Sequence, residues 1–389
     1  MSNVAQDELS DELHASYLYG GPGVEEEDTS GGGMTSPFDP TLIRVETRPL
    51  TIDLLLARIR ENELDMAPDF QRKGGIWRSD TMSRLIESIL IRIPLPAFYM
   101  DATNDDRWVV VDGLQRLTTL KRFVIDKTLK LTGLDFLESL EGKSFDEIPR
   151  NYQRRILETQ ITAYLISRGT PEEVKFNIFK RINTGGLPLS PQEIRHALNQ
   201  GPAARLITRL AQTEEFKCAT AWGVSDDRMA DREFVLRFLA FTITPYTEYK
   251  VKDFDKFLND AMARMNKMRS RELEELEQQF LRAMNAATGI FDNEAFRKRY
   301  SPNSRRKLIN KPLFDTWSVN LSSLNDEQLR QLEQRKFILR SRFIDLLNEQ
   351  RTSEHPVSFD DSISFATGDI LKVRMRFSRI QELIQEVLT

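Results

Sequence analysis

The sequence contains one cysteine, Cys218, and three histidines among its 389 residues. A single cysteine excludes an intrachain disulfide and a zinc site built from several cysteines, and we expect Cys218 to be a small core residue. No apolar stretch reaches the length of about 18 residues that a membrane-spanning helix requires. The first residues also lack the basic and then apolar pattern of a signal peptide. These features predict a cytoplasmic protein with no membrane segment.

Two common catalytic patterns are missing as well. The three histidines, His14, His196 and His355, lie far apart in the sequence, whereas an HNH-type nuclease needs clustered histidines around its metal. A Walker A loop is incomplete, because Gly142-Lys143-Ser144 supplies its end but Leu137 occupies the position of the first glycine. The sequence therefore predicts neither an HNH nuclease nor a P-loop NTPase.

Charge is distributed unevenly along the chain. Residues 1–40 contain nine acidic residues and no lysine or arginine, although the net charge of the whole chain is only −4. The rest of the chain is therefore net positive. The glycine content and acidity of residues 1–40 predict a disordered tail. Solubility is the simpler role for such a tail, and covering a basic surface by imitating phosphates is the alternative.

The densest basic stretch lies between residues 297 and 311. Phosphate backbones favour such clusters, and Tyr300 would be available for stacking, whereas the alternative is an ordinary solvated surface. The acidic isoelectric point of about 5.7 argues against a dedicated DNA-coating protein but leaves regulated contact with DNA open. The candidate nucleic-acid-binding residues are Arg297, Lys298, Arg299, Arg305, Arg306 and Lys307.

The most informative motif reads Asp-Gly-Leu-Gln-Arg-Leu-Thr-Thr-Leu and occupies residues 112–120. It follows an apolar run at 108–111, which predicts a buried strand that turns sharply at Asp112-Gly113 and enters a helix. Backbone N–H groups at a helix start attract anions, and an arginine beside them suits phosphate or carboxylate. The alternative is that Asp112 only caps the helix and Arg116 forms a surface ion pair. Core packing does not require Asp, Gln and Arg together, so we interpret the motif as a site.

Two further segments carry polar or glycine-rich motifs. Phe70-Gln71-Arg72 lies upstream and is followed by Trp77, a Pro-x-Pro pair and a short apolar run at 98–100 that predicts a strand. Asn183-Thr184-Gly185-Gly186 lies downstream, between two helix starts at 170–173 and 190–193 that read as capping boxes. An ordinary helix C-cap is the alternative interpretation of the glycine pair.

The order and spacing of these motifs, from about Arg48 to Leu198, resemble the GmrSD-type restriction endonuclease N-terminal domain family, long labelled domain of unknown function 262. The central motif of that family normally reads Asp-Gly-Gln-Gln-Arg, and Leu114 replaces the first glutamine here. The resemblance implies an α+β fold with a ParB/sulfiredoxin-like nucleotide-binding core. We assign residues 1–40 to the disordered acidic tail, 41–200 to the ParB/sulfiredoxin-like domain and 201–389 to a mostly α-helical C-terminal lobe.

The resemblance also implies a role in bacterial anti-phage systems that restrict modified DNA. There such domains bind and hydrolyse nucleoside triphosphates, often fused to or paired with an HNH-type nuclease. Since this chain lacks the clustered histidines, a separately encoded nuclease or effector is expected as partner, with DNA as a further candidate. The alternative is that this core cuts DNA by an unfamiliar chemistry. The alternatives are a nucleotide-switched regulatory subunit without hydrolysis and a ParB-like protein that binds or nicks DNA.

The mechanistic hypothesis is Mg²⁺-dependent hydrolysis of a nucleoside triphosphate at the central motif. Asp112, Gln115 and Arg116 are the candidate catalytic residues, and Asp112 is also the candidate metal ligand. We expect Arg116→Ala to abolish nucleotide binding or turnover while leaving the fold intact. The candidate nucleotide-binding residues are Gln71, Arg72, Gly113, Thr118, Thr119, Asn183, Gly185 and Gly186.

The C-terminal half has a mostly helical pattern without a fixed internal repeat, which predicts a helical lobe rather than a solenoid. Long helices are predicted at residues 253–284, 326–348 and 369–388. Their composition indicates no chemistry of its own.

Overall fold

A computed structural model of the protein describes residues 23–28, 44–66, 77–182, 190–250, 253–350 and 357–389. The chain divides into two compact units, Phe38–Leu198 and a second unit made of Asn199–Thr389 together with Met1–Pro37. The first unit is built around a sheet, and the described secondary structure of the second is helical apart from isolated β-bridges. The predicted α+β fold is confirmed.

The N-terminal unit contains a five-stranded mixed sheet with strand order β1-β5-β3-β4-β2. β1 is antiparallel to β5, β5 is parallel to β3, β3 is antiparallel to β4, and β4 is parallel to β2. The elements are β1 (Val45–Thr51), α1 (Ile52–Arg60), β2 (Leu64–Asp65), α2 (Ser79–Leu90), β3 (Phe98–Ala102), β4 (Trp108–Asp112), α3 (Leu114–Leu120, continued by a π-helical turn at Lys121–Ile125), α4 (Arg150–Glu158), β5 (Gln160–Ser167), α5 (Glu172–Ile182) and α6 (Pro191–Leu198).

Side-chain alternation along the strands gives the sheet two different faces. Phe98, Met100 and Val110 belong to the larger core, together with residues of α1, α2, α3 and α4. Val111 and Ile166 point into a smaller cluster with residues of α5 and α6. The C-terminal end of β4 is therefore enclosed by helices on both faces of the sheet.

The C-terminal unit is a helical assembly around one large apolar core. Its longest described helix, α11, has buried residues at Leu276, Phe280 and Ala283, a spacing that places them on one face. The helices are α7 (Pro202–Ala211), α8 (Glu214–Ala219), α9 (Ala230–Ile243), α10 (Phe254–Met265), α11 (Ser270–Phe291), α12 (Lys311–Ser322), α13 (Asp326–Gln334), α14 (Lys336–Leu347), α15 (Phe359–Ser364) and α16 (Ile370–Leu388).

Two of the predicted long helices are wrong in their continuity, whereas the helix at 369–388 is confirmed. The segment 253–284 is interrupted after Met265, where Asn266 ends α10 and its side chain accepts a hydrogen bond of 2.9 Å from the Ala203 amide. The segment 326–348 is interrupted at Arg335, whose guanidinium donates to the Val387 carbonyl. Long-range contacts at these two positions accompany the changes of direction.

Residues 23–28 of the acidic N-terminal segment pack into the C-terminal unit. Val24 is fully buried, and the backbone on either side of it exchanges two hydrogen bonds of 2.8 Å with Ile309. The Glu27 carboxylate lies 2.6 Å from the Arg237 guanidinium. For these six residues the structure differs from the prediction of a disordered tail, because buried cations compensate the acidic side chains.

Two expectations about exposure can be compared with the described residues. Within them, no helix has the length and apolar character needed to cross a membrane. Cys218 is exposed on α8, so its prediction as a core residue was wrong. Its neighbours Phe216 and Ala219 occupy the face of this short helix that is buried.

Candidate functional site

The predicted strand–turn–helix at residues 108–120 is confirmed in detail. β4 ends at Asp112, Gly113 adopts φ 98°, and α3 begins at Leu114. A Cβ atom on Gly113 would lie 2.4 Å from Cδ1 of Phe98, closer than real Cβ atoms approach. Glycine is therefore required here both by the left-handed backbone and by the neighbouring ring.

Arg116 is buried and bound to protein groups on several sides. Its guanidinium donates to the carbonyl oxygens of Pro96 and Ala97 and lies 3.0 Å from Oδ2 of Asp112. The same group lies over the Phe98 ring, 4.4 Å from the centroid. Arg116 thus joins the end of β4 to the start of β3, and only 8% of its surface is exposed. These contacts give Arg116 a role in positioning Asp112, and its predicted catalytic role stays a prediction.

Asp112 remains half-buried beside this arginine, with 28% of its side chain exposed. Burial raises the pKa of its carboxyl group, and the charge of Arg116 opposes that rise. A carboxylate in this position is accessible on one side and held in orientation on the other. It therefore retains the chemistry expected of a metal ligand or a water-positioning group.

Gln115 connects the first turn of α3 to the segment that precedes α2. Its side-chain oxygen accepts a hydrogen bond of 3.2 Å from the backbone amide of Trp77. The two threonines of the motif have different environments. Thr119 is fully buried and donates to the Gln115 carbonyl at 2.8 Å, so its hydroxyl serves the helix. Thr118 is half-buried and lines a cavity.

This cavity lies in the N-terminal unit and has a volume of about 540 Å³. Its charged walls include two ion pairs, Asp65 with Arg107 at 2.9 Å and Lys121 with Asp126 at 2.6 Å. The volume and the mixture of apolar and polar walls are typical of small-molecule sites. The lining residues are Ile59, Asn62, Leu64, Asp65, Met66, Arg107, Leu114, Thr118, Lys121, Arg122, Asp126 and Thr128.

A stacked tyrosine pair lies next to Asp112 and was not identified from the sequence. Tyr99 is the register partner of Asp112 in the sheet, and its ring stacks on Tyr164 with centroids 4.8 Å apart. Burial, Tyr164 and Asp112 together raise the pKa of Tyr99. The available signal was the position of Tyr99 in the strand that follows the Pro-x-Pro pair.

Helix α6 brings a second set of polar residues to this region, some of them not predicted from the sequence. Ser190 and Glu193 form the capping box predicted from the sequence. Gln192 and His196 are buried, as is Arg195, which donates to the Gln192 side chain at 3.0 Å. The helix packs through Ala197, which shares a cluster with Val109 and Leu114. A polar run directly after a glycine break was the signal available for these residues.

Five predicted nucleotide-binding residues lie outside the described residues. Gln71 and Arg72 belong to the span 67–76, and Asn183, Gly185 and Gly186 belong to the span 183–189. The described residues at the C-terminal ends of these spans are Trp77, which is bonded to Gln115, and Ser190, which caps α6. The structure therefore brings the elements that follow both spans to the first turn of α3.

Comparison with known families identifies this unit. Residues 52–199 match the family described as GmrSD restriction endonuclease, N-terminal domain. These residues form a GmrSD N-terminal domain. The matched range contains the central motif and both flanking segments, so the resemblance inferred from them is confirmed. A search of curated proteins finds no match to the chain. The family implies a role in a restriction system.

No group of three or more His, Cys, Asp and Glu side chains suited to a metal occurs in the part of the chain that the structure describes. In the GmrSD N-terminal domain, Asp112 is the accessible carboxylate at the motif. Mg²⁺ is commonly bound by one or two carboxylates together with the phosphates of a substrate. The donor set at Asp112 thus fits a magnesium ion that arrives with a nucleotide.

The basic stretch predicted to bind nucleic acid lies outside the GmrSD N-terminal domain and separates into two groups. Arg297 is buried and donates to the carbonyls of Lys307 and Thr220, and burial lowers its pKa to about 10. Lys298 lies 3.2 Å from Glu25 and also bonds Ser364. Arg299 is half-buried and donates to the Ser301 and Pro302 carbonyls. The exposed members are Arg305, Arg306 and Lys307.

Proposed function

We propose that the GmrSD N-terminal domain binds a nucleoside triphosphate at the C-terminal end of β4 and hydrolyses it with Mg²⁺. The observation that carries this proposal is the convergence on the first turn of α3. The Trp77 amide is bonded to Gln115, and Ala197 of α6 packs with Leu114. Two motif-bearing spans therefore adjoin one strand–glycine–helix turn, an arrangement that favours anion binding.

The cavity beside this turn supports a ligand of nucleotide size. It shares Leu114 and Thr118 with the central motif, and its volume of about 540 Å³ falls within the range of small-molecule sites. Thr118 would offer a hydroxyl to the ligand, whereas the apolar side chains of Ile59 and Leu64 would contact a base or ribose. Three cations, Arg107, Lys121 and Arg122, outnumber the two aspartates among the lining residues, so the cavity keeps a net positive charge.

Asp112 would hold the magnesium ion of the nucleotide complex. Bound Mg²⁺ neutralises charge on phosphate oxygens during phosphoryl transfer. Arg116 fixes the orientation of Asp112 through their 3.0 Å ion pair and does not itself need to reach the phosphates. Arg72 and Gln71 remain the residues proposed to contact phosphate and water from the span that precedes Trp77.

We also propose that this domain has a ParB/sulfiredoxin-like core. Two features support this proposal, namely the mixed sheet and the strand that enters a helix through a glycine turn. We also propose that the chain works with a separately encoded nuclease or effector. Among the described residues, no histidine cluster exists that would form an HNH centre, and His196 is buried in α6.

The test is phosphate release by the full chain with Mg²⁺ and each of the four nucleoside triphosphates, with and without DNA. Asp112→Asn preserves the size of the side chain and should abolish turnover. Thr118→Val should weaken nucleotide binding, because Thr118 lines the cavity. Thr119→Val is the matched control, since the hydroxyl of Thr119 is fully buried and bonded within the helix.

Three outcomes separate the candidate activities. Turnover that is lost in Asp112→Asn and retained in Thr119→Val would support the hydrolase. Binding of nucleotide without turnover would contradict hydrolysis and favour the regulatory subunit that switches a partner. Absence of binding to all four nucleotides, in a chain that is folded by circular dichroism, would overturn the proposed site.

A further inference from the structure

Trp222 is a large aromatic residue in an unusual position on the C-terminal unit. It follows helix α8, and 65% of its surface is exposed. Its backbone adopts φ 57°, and the preceding residue, Ala221, adopts φ 48°. The amide of Trp222 donates to the Lys217 carbonyl at 2.8 Å, a bond that closes the end of the helix.

Stability does not explain a tryptophan at this position. A left-handed residue after a helix is usually glycine or asparagine, because a side chain with a Cβ is strained there. Because most of the indole ring is exposed to solvent, it contributes little hydrophobic stabilisation to the fold. Backbone strain combined with an exposed aromatic ring is more typical of a binding residue than of a packing residue.

A buried arginine connects the Trp222 loop to the exposed basic residues. Arg297 donates to the Thr220 carbonyl at 3.2 Å and to the Lys307 carbonyl at 2.7 Å. A Cβ on Gly223 would lie 2.9 Å from Nη2 of the same arginine and 3.1 Å from Ile309. We call the segment 298–308 the basic loop. Trp222 therefore lies on a loop that packs directly against the end of the basic loop.

The basic loop offers positive charge that the protein does not neutralise locally. Arg305, Arg306 and Lys307 are exposed, and none forms an ion pair with any residue that the structure describes. A fourth cation lies near the tryptophan itself, because Nζ of Lys217 is 5.1 Å from the centroid of the Trp222 ring. Lys217 also forms an ion pair with Glu214 at 3.0 Å, which neutralises its charge. The three cations of the basic loop therefore provide most of the positive charge near Trp222.

We propose that Trp222, together with Arg305, Arg306 and Lys307, forms a contact surface for single-stranded nucleic acid. Unpaired bases stack on exposed aromatic rings, and adjacent cations follow the phosphate backbone. A duplex keeps its bases stacked within the helix, so the exposed ring favours a single strand over a double strand. The surface lies wholly in the C-terminal unit and does not depend on the nucleotide site proposed for the GmrSD N-terminal domain.

The test is binding of the full chain to a fluorescein-labelled oligo-dT of 20 nucleotides, measured by anisotropy over a range of salt concentrations. Trp222→Gly suits the left-handed backbone, so we expect unchanged or higher thermal stability and about tenfold weaker binding. Arg305→Gln/Arg306→Gln should weaken binding and lower the salt dependence. The charge-matched control is Lys250→Gln/Lys267→Gln, two exposed lysines elsewhere on the same unit.

Intrinsic fluorescence gives an independent readout. Trp108 and Trp317 are buried and Trp77 is half-buried, so the difference in base quenching between the parent and Trp222→Gly should report on Trp222. Duplex DNA and oligo-U of the same length distinguish strandedness and sugar. Affinity for oligo-dT that is unchanged in a folded Trp222→Gly variant would overturn the proposal. So would absence of binding at low salt, or preference for the duplex.

Discussion

The Glu27 carboxylate lies 2.6 Å from the Arg237 guanidinium, although 210 residues separate them in the sequence. Arg237 also bonds Asp315 at 2.6 Å, and Arg376 lies 3.6 Å from the same aspartate. The Thr367 hydroxyl donates to Glu27 at 2.6 Å. This buried network connects the N-terminal segment to α9, α12 and α16. Residues 23–28 are therefore a structural part of the C-terminal unit.

Glu27→Gln should remove an acid-dependent part of the stability of this unit. Burial alone would raise the pKa of Glu27, but Arg237, Lys311 and hydrogen bonds outweigh burial and lower it from 4.5 to about 2. The stabilisation is therefore complete above pH 4.5 and is lost as the pH falls to about 2. A shift of this size corresponds to about 3 kcal/mol at pH 7.

Urea denaturation of both proteins between pH 7 and pH 2 measures this contribution. The variant should be less stable at pH 7, and its stability should change less than that of the parent between pH 5 and pH 2. Glu327→Gln serves as control, because Glu327 is exposed and paired only with surface groups, so no measurable change is expected. Equal acid dependence in the two proteins would rule out the contribution of the Glu27–Arg237 pair.

The local part of the candidate site could be predicted from the sequence, and its long-range part could not. The valine run followed by Asp-Gly predicted the strand, the left-handed glycine and the helix, because each depends on a few neighbouring residues. The burial of Arg116 depends on the carbonyls of Pro96 and Ala97, whose position is set by the folding of β3 beside β4. A motif alone does not distinguish an arginine that binds ligand from one that binds backbone.

The same limit applies to the C-terminal unit. Acidic and glycine-rich composition predicted disorder for residues 1–40, yet Glu27 finds its cation more than 200 residues away. The predicted helix at 253–284 satisfied the local pattern throughout. The helix is interrupted at Asn266, whose side chain accepts a hydrogen bond from the backbone of Ala203. Such a long-range contact cannot be predicted from the local periodicity of the sequence.

Arg116→Ala should destabilise the GmrSD N-terminal domain, in contrast to the expectation from sequence that the fold would be unaffected. Removing the guanidinium leaves Asp112 without its ion pair and two carbonyls without their donor. Because Asp112 is only half-buried, we expect a cost below that of a fully buried ion pair, about 1–3 kcal/mol. Chemical denaturation of Arg116→Ala, Asp112→Ala and the double variant measures the interaction.

The double variant should lose less stability than the sum of the two single variants, because the second change removes a charge that was already uncompensated. Additive losses would show that the pair is not coupled. A fully stable Arg116→Ala variant would contradict the structural role of the arginine. In that case a defect in nucleotide binding would again be attributable to direct contact.

Gly113→Ala and Gly142→Ala should separate backbone strain from steric conflict. Both glycines have positive φ, at 98° and 76°, so alanine is strained at either position. A Cβ on Gly142 meets nothing within 4 Å, whereas a Cβ on Gly113 would lie 2.4 Å from Phe98. We expect a loss of about 1 kcal/mol at Gly142 and a clearly larger loss at Gly113.

Thermal and urea unfolding of the two variants make this comparison within one domain. The double variant Gly113→Ala/Phe98→Leu tests whether the Phe98 ring causes the larger loss of stability at Gly113. A smaller side chain at position 98 should recover part of that additional loss. Equal destabilisation by the two alanine substitutions would indicate that the Phe98 ring moves away without cost, and that only the backbone angle requires glycine.

Asp231→Asn should stabilise the C-terminal unit at neutral pH. Burial is the main cause that raises the pKa of Asp231, from 3.8 to about 6, and the charge of Asp226 adds to it. The folded state therefore holds a proton more tightly than the unfolded state. A penalty develops as the pH rises from about 4 to about 6 and stays constant above that range.

Asparagine keeps the size of the side chain and an oxygen for the Arg232 amide, which donates to Asp231 at 2.8 Å. The variant should be more stable than its parent by about 1–3 kcal/mol at pH 8, and the difference should vanish near pH 4. Asp227→Asn makes the same change of net charge at an exposed position in the same segment, and it should leave stability unaltered. A gain at pH 8 that persists unchanged at pH 4 would mean that asparagine improves packing or hydrogen bonding, rather than removing a buried negative charge.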